Sequence, residues 1–225
     1  MIDLDPFFLT GKLALVSTVI LFVISLPLAY WLAYSDFRGK FIVDALVNLP
    51  LILPPSVLGF YLLMAFSPEY PLGHFFDKYF DARLVFTFEG LVIASVIYSL
   101  PFMVQPFQSG FKMIPKVWAD ASYTLGKSKL TTLFKVFLPN MKGALLAGSI
   151  LAFAHTIGEF GIVLMIGGSI PKETRVVSIA LYDEVQAMKY GSANQYAVIL
   201  LVFSFVVLAT VYLVNQRHTR SHRYD

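Results

Sequence analysis

The chain has 225 residues, 57% of them hydrophobic and only 14% charged, with a mean hydropathy of +0.71. Soluble domains carry roughly 45–50% apolar and about 25% charged residues, so an aqueous globular domain is excluded. The absence of cysteine excludes disulfides, thiolate nucleophiles, cysteine-ligated zinc and cysteine-held iron–sulfur clusters.

The first charge-free run, Leu13 to Tyr34, follows Asp3 and Asp5. A cleaved signal would carry a basic flank and an apolar stretch of about 7–15 residues, so this longer run reads as a retained helix. The second run, Ala45 to Pro68, contains Asn48-Leu-Pro-Leu-Ile-Leu-Pro-Pro-Ser56. Each proline there removes an internal hydrogen bond, so a straight lipid-facing rod is not expected. Irregular backbone at membrane depth is tolerated beside protein or a wet cavity, which makes Pro50, Pro54, Pro55, Ser56 and Gly59 candidates for lining a pathway or gate. The alternative is that proline is simply commoner in membrane helices. Residues 69–89 mix Glu69, His74, Asp77, Lys78, Asp81, Arg83 and Glu89 with Tyr and Phe, as in an interfacial segment or an ordinary amphipathic connector. The third run, Gly90 to Phe111, repeats the proline theme at Pro101 and Pro106.

The loop that follows reads Met113-Ile-Pro-Lys-Val-Trp-Ala-Asp-Ala-Ser-Tyr-Thr-Leu-Gly126. Pro115 suits a first helical position, Val117, Trp118, Ala121 and Leu125 form one apolar stripe, and Gly126 suits the position just past a helix end. Ser128 is placed to cap a second helix leading through Val136-Phe-Leu-Pro139 into the fourth run. Such an amphipathic helix either lies on the membrane or docks in a partner's groove.

The fourth run, Gly143 to Gly158, continues past one acid, Glu159, to Gly167. An ionisable group in a span is expensive and usually functional. Counted from Met141 at about 1.5 Å per residue, Glu159 lies roughly 27 Å up, near the far boundary of a hydrocarbon core about 30 Å thick. His155 falls one turn earlier, so a His155–Glu159 hydrogen bond is expected, with Arg175 as an ion-pair partner for the acid. A structural or gating pair, direct substrate contact and a lipid-facing accident are the readings open to it. In residues 172–189, Val176, Ile179, Ala180 and Asp183 share a helical period, suggesting a short helix near the membrane surface. The last run is Tyr190 to Gln216.

A membrane helix needs about 20 apolar residues. The expectation is therefore an all-α polytopic membrane protein with five transmembrane helices, at about 11–34, 46–68, 88–110, 142–167 and 191–215, in one domain over 8–216, with a loop 112–140 and a tail 217–225. The remainder is too short for a separate catalytic domain, which needs at least about 50 residues. Of the 17 basic residues, eleven fall in segments 35–44 and 112–142 and the tail: Arg38, Lys40, Lys112, Lys116, Lys127, Lys129, Lys135, Lys142, Arg217, Arg220 and Arg223. Basic loops stay cytoplasmic, which puts the N-terminus out and the C-terminus in. The tail cations suit anionic headgroups, and no nucleic acid partner is expected.

The loop residues Asp120-Ala121-Ser122, Gly126 and Val136-x-Leu138-Pro139 resemble the "EAA" loop, E-A-A-x3-G-x9-I-x-L-P, of type-1 ABC importer permeases. Asp120, Ser122 and Val136 depart from the pattern's Glu, Ala and Ile. Leu151-Ala-Phe-Ala-His-Thr-Ile-Gly-Glu-Phe-Gly161 and Gly168-Ser-Ile-Pro-Lys-Glu-Thr-Arg175 are similar to the LAFARxxGEFGA…IPGETR signature of molybdate importer permeases, with His155 and Lys172 in place of Arg and Gly. Leu49 to Tyr61 resembles that subfamily's proline-rich second helix.

The resemblance implies a permease of the bacterial cytoplasmic (inner) membrane, embedded in the lipid bilayer as a homodimer. It implies two cytoplasmic ABC ATPase subunits and an extracytoplasmic oxyanion-binding protein as partners. Trp118, Asp120, Ala121, Ser122, Leu125, Gly126, Leu138 and Pro139 would couple to the ATPase. Pro54, Pro55, Ser56, Gly59, His155, Gly158, Glu159 and Gly161 are the pathway or gate candidates. Tungstate and sulfate or thiosulfate permeases carry related motifs and remain alternatives for the substrate. No cofactor or metal is expected, and no Walker motif is present, so ATP hydrolysis falls to a separate subunit. The rival reading is a membrane-embedded metal enzyme using His155 and Glu159. It lacks the third ligand a catalytic metal wants, because His74, His218 and His222 fall in loop and tail segments. A passive channel would leave the amphipathic loop unused.

Overall fold

The computed structural model describes residues 2–221; the proposed tail 217–225, with Arg223, lies partly outside them. Every regular element is a helix: α1 (Asp5–Tyr34), α2 (Lys40–Ile52), α3 (Pro55–Phe66), α4 (Pro71–Phe80), α5 (Phe88–Met113), α6 (Lys116–Thr124), α7 (Lys129–Thr132), a π-helical turn Leu133–Phe137, α8 (Leu138–Asn140), α9 (Lys142–Ile157), α10 (Gly161–Gly167), α11 (Val177–Gln186) and α12 (Tyr190–Ser221). Within lipid, a helix satisfies its own backbone polar groups, which explains this uniformity.

Among the described residues, α1, α5 and Tyr190–Thr210 of α12 are each long and apolar enough to cross a membrane. Two bent pairs raise the number to five when each counts as one span: α2 with α3, bent by 113°, and Lys129–Asn140 with α9, bent by 77°. The second run is thus a broken helix, with Leu53 and Pro54 extended between its halves. Pro54 and Pro55 bar the helix from continuing through them, and Pro55 opens α3, where a missing N–H costs nothing. The expected span 142–167 is also interrupted, at Gly158–Phe160 between α9 and α10.

The centre of the bundle is α5, which packs along α1 and α9. Helices α1 and α5 run side by side in the same direction. Lys12 Nζ sits 4.3 Å from the centre of the Phe88 ring at one end, and Tyr34 Oη donates to Phe111 O at 2.8 Å at the other. Leu21, Ala29, Leu32, Met103, Val104, Phe107, Phe111 and Phe137 form the core at the end nearer α6. Leu13, Leu91, Ala94, Ile162, Val163, Ile166 and Ile179 form a second core at the opposite end. Helix α11 appears where the periodicity predicts it. It packs against the bundle: Val176, Val177, Ile179 and Ala180 are buried, and Val177 N–H donates to Thr10 Oγ1 of α1 at 2.9 Å.

The ion pairs of the 172–184 region gather around the chain's beginning. Arg175 reaches Asp183 (3.0 Å), Asp3 (3.6 Å) and Glu184 (4.0 Å). The expected Arg175–Glu159 pair is not formed, because three nearer carboxylates surround the guanidinium.

Candidate functional site

Two regions carry the predicted site residues, and the core joins them. The first is the amphipathic loop. Pro115 precedes α6 as its N-cap and is not its first helical residue. Gly126 has φ of 72°, the left-handed conformation that ends a helix at little steric cost only for glycine. Its N–H donates to Tyr123 O at 2.9 Å, and Lys127 N–H to Ser122 O at 3.1 Å. On the outer face Val117, Trp118 and Leu125 are 64%, 45% and 75% exposed, with Asp120 and Ala121 exposed beside them. Among the described residues the stripe has no partner.

The inner face of α6 is anchored. Ser122 is buried, its Oγ 2.8 Å from Thr132 Oγ1, and Thr132 Oγ1 donates to Ser128 O. Ser128 caps α7 as the sequence suggests, accepting from Thr131 N–H at 3.2 Å. Beyond α7 the chain widens into the π-helical turn, where Leu138 N–H bonds to Leu133 O, five residues back. Pro139 in the first turn of α8 has no N–H to offer, which favours that wider turn. Leu138 packs with Phe137 and Met141 against the core. Side-chain contacts thus run without a gap from α6 through α7 and the π-helical turn to the start of α9.

The second region is the break after α9. Glu159 lies past the helix end, 4% exposed. Its Oε2 accepts from Ser95 Oγ of α5 at 2.8 Å, and its main-chain O accepts from Ser178 Oγ of α11 at 2.5 Å; Oε1 has no protein partner. The expected His155–Glu159 bond is absent because α9 stops at Ile157 and the chain turns before the acid. His155 Nδ1 instead lies 2.9 Å from Ser99 Oγ, and its ring stacks on Phe102 with centroids 3.9 Å apart. Ser99 also meets Thr156 Oγ1 at 3.1 Å. His155 and Glu159 thus face different partners, and among the described residues no group of three His, Asp or Glu side chains is placed to hold a metal.

The proline-rich break adjoins this region. A β-carbon on Gly161 would lie 2.9 Å from Pro55 Cβ, and one on Gly59 would lie 3.1 Å from Met165 Cβ and 3.2 Å from Ile162 Cα. Gly59 and Gly161 are therefore where α3 and α10 come into contact. Pro54, Pro55, Ser56 and Gly158 are exposed on this single chain.

Sequence reasoning missed the small polar residues. Ser95 and Ser99, one turn apart on α5, hold Glu159 and His155 of the fourth run. Near the other end Gln105 Nε2 donates to Asn48 Oδ1 at 2.5 Å, and Gln108 Nε2 reaches Asp44 Oδ1 and Leu32 O, both at 3.4 Å. The available signal was the spacing of Ser95, Ser99, Gln105 and Gln108 along an otherwise apolar helix.

Residues 25–220 match the family described as binding-protein-dependent transport system inner membrane component. The chain belongs to that family. It is 46% identical to the molybdenum transport system permease protein ModB of Azotobacter vinelandii, over 93% of both chains. It is 32% identical to the sulfate transport system permease protein CysT of Salmonella typhimurium, over 92% of this chain and 74% of that one. Among solved structures, a bacterial ABC transporter that imports alginate superposes with a TM-score of 0.75 at 15% identity, covering 96% of this chain and 79% of that one. The MetNI methionine ABC transporter gives 0.68 at 17% identity, over 94% of each. These two establish the fold. The chain is a multi-pass membrane permease subunit with a type-1 ABC importer permease fold, and it is not an enzyme.

Proposed function

We propose that this permease forms the path for molybdate through a bacterial inner membrane, in an importer powered by a separate ATPase. The observation that carries the substrate is the 46% identity to the A. vinelandii molybdenum permease across nearly the full length of both proteins, against 32% for the sulfate permease. Two copies would pair, with the pathway between them, the N-terminus outside and the 112–140 loop in the cytoplasm.

In this reading the exposed Val117, Trp118 and Leu125 seat in a cleft of the ATPase subunit and Asp120 makes a polar contact at its rim. Closure of the ATPase pair moves α6, and the Ser122–Thr132 bond and the π-helical turn carry that motion to α9. At the far end of α9, Glu159 and the Gly161–Pro55 contact hold the break and the proline-rich helix in register, so they change together. An oxyanion delivered by a soluble binding protein then meets hydroxyl and backbone N–H dipoles, which bind an anion without trapping it as a fixed positive charge would. Tungstate, nearly the same size as molybdate, would compete; smaller sulfate would be disfavoured first by the delivering protein.

The test is uptake in cells lacking this subunit. Loss of high-affinity molybdate uptake, restored by the intact gene, supports the reading. The second reading, a sulfate-type permease, rests on the 32% identity to CysT and wins if equimolar sulfate abolishes molybdate uptake.

A further inference from the structure

Helix α4 has no part in that transport cycle, yet it is firmly placed. Ten residues long, it reaches about 15 Å, half of the roughly 30 Å hydrocarbon core, and so cannot cross it. A β-carbon on Gly73 would collide with the carbonyl oxygens of Phe66 and Ser67, which shows how closely α4 folds back onto the end of α3. At its other end Asp81 takes the left-handed conformation, φ 50°, Ala82 N–H donates to Phe76 O at 3.3 Å, and Arg83 Nε donates to Asp77 Oδ1 at 3.3 Å.

One face of this helix is apolar: Leu72, Phe75, Phe76, Tyr79 and Phe80 recur at three- and four-residue steps. The four rings form a single cluster, with Phe75 5.8, 5.1 and 5.9 Å from Phe76, Tyr79 and Phe80 between centroids. Phe75, Tyr79 and Phe80 are nevertheless 47%, 67% and 64% exposed. Within residues 71–83 the charges of Asp77, Lys78, Asp81 and Arg83 cancel, so the helix itself offers no net field to a charged protein partner. Its position supplies the occupant: α4 joins the end of the apolar helix α3 to the start of α5, which is long and apolar enough to cross a membrane, in a family of inner membrane components. Aromatic side chains concentrate at the membrane–water boundary, and short amphipathic helices lie in its plane.

We propose that α4 lies in the lipid headgroup region with its Leu72, Phe75, Tyr79 and Phe80 face sunk among the acyl chains, so that its partner is the bilayer itself. The helix then acts as a float that fixes the height of α3, the second half of a span already broken at Pro54.

The absence of cysteine makes the test direct. Single nitroxide labels are placed at F75C and Y79C on the aromatic face and at H74C and K78C on the polar face, with L72C as a further label on the aromatic face. The whole transporter is assembled in nanodiscs of phosphatidylethanolamine and phosphatidylglycerol, and collisions with oxygen and with a water-soluble nickel chelate are compared. Lipid burial predicts oxygen-dominated relaxation at 72, 75 and 79, nickel-dominated relaxation at 74 and 78, and no change when the soluble binding protein is added. The proposal is overturned if nickel relaxes both faces equally, which means water. It is equally overturned if neither reagent reaches 75 and 79, which means a second copy, or if oxygen access there is lost only on adding the binding protein, which means its docking site.

Discussion

Ser95 Oγ donates to Glu159 Oε2 at 2.8 Å, tying the central helix α5 to the one non-helical stretch that interrupts the fourth run. From the opposite side Ser178 holds the main-chain carbonyl of the same residue. Glu159 thus joins α5, the α9–α10 break and α11, and among the described residues its buried carboxylate has a single donor. Leaving such a group unpaired costs about 1–3 kcal/mol or more.

Ser95→Ala is therefore expected to destabilise the protein by that amount, seen as a lower midpoint of thermal unfolding in nanodiscs. The same change in a Glu159→Leu background should cost far less, because the group it strands is gone. Additive losses in this double-mutant cycle would show that the two side chains do not interact in the working protein.

The contact between α3 and α10 predicts a size limit. Gly161→Val places atoms against Pro55, and Gly59→Leu places them against Ile162 and Met165; overpacking of this kind costs about 1–3 kcal/mol. Both variants should lose transport with a reduced melting temperature, Gly161→Ala less so. Wild-type uptake by Gly161→Val would mean that this contact opens during the cycle and bears no load.

Coupling is tested at the other end of the molecule. Gly126→Val forces a β-branched residue to φ 72°, a strain of order 1–3 kcal/mol, and Asp120→Lys reverses the charge beside the exposed stripe. Membrane insertion should be preserved while uptake and stimulation of the ATPase by loaded binding protein fall together. Full stimulation in both variants would remove α6 from the coupling path.

Much of the fold was legible because lipid leaves few choices. Charge-free runs long enough to span had to become helices, and Pro54 and Pro55 announced the break between α2 and α3. The α6 helix was readable from the stripe Val117, Trp118, Ala121 and Leu125 and from Gly126 beyond it. The break at Gly158–Phe160 was not, since Gly158 sits in an apolar run that fits a continuous helix, and that false continuity put His155 beside Glu159. Partner choice was hidden for a different reason: Arg175 finds Asp3, far away in sequence, and Ser95 finds Glu159. Gly59 and Gly161, pathway or gate candidates in the sequence, also lie where α3 meets α10, and spacing along one chain does not reveal which helices approach.

The orientation drawn from the basic residues predicts that cysteines introduced at Asp77 and Lys127 label from opposite faces of sealed vesicles, the first from outside. The structure already separates the two positions: α4 lies at the α1–α5 end marked by Lys12 and Phe88, and Lys127 follows α6 at the other. Exclusive labelling of Lys127→Cys from outside would invert the assignment.

The most direct test of the account is ATP-driven uptake of radiolabelled molybdate into proteoliposomes containing this permease, its ATPase and the loaded binding protein. The expected result is uptake that requires both ATP and the binding protein, is competed by tungstate, is little affected by equimolar sulfate, and is abolished by Gly126→Val. Molybdate entry that proceeds without ATP, or that survives Gly126→Val unchanged, would contradict a coupled importer.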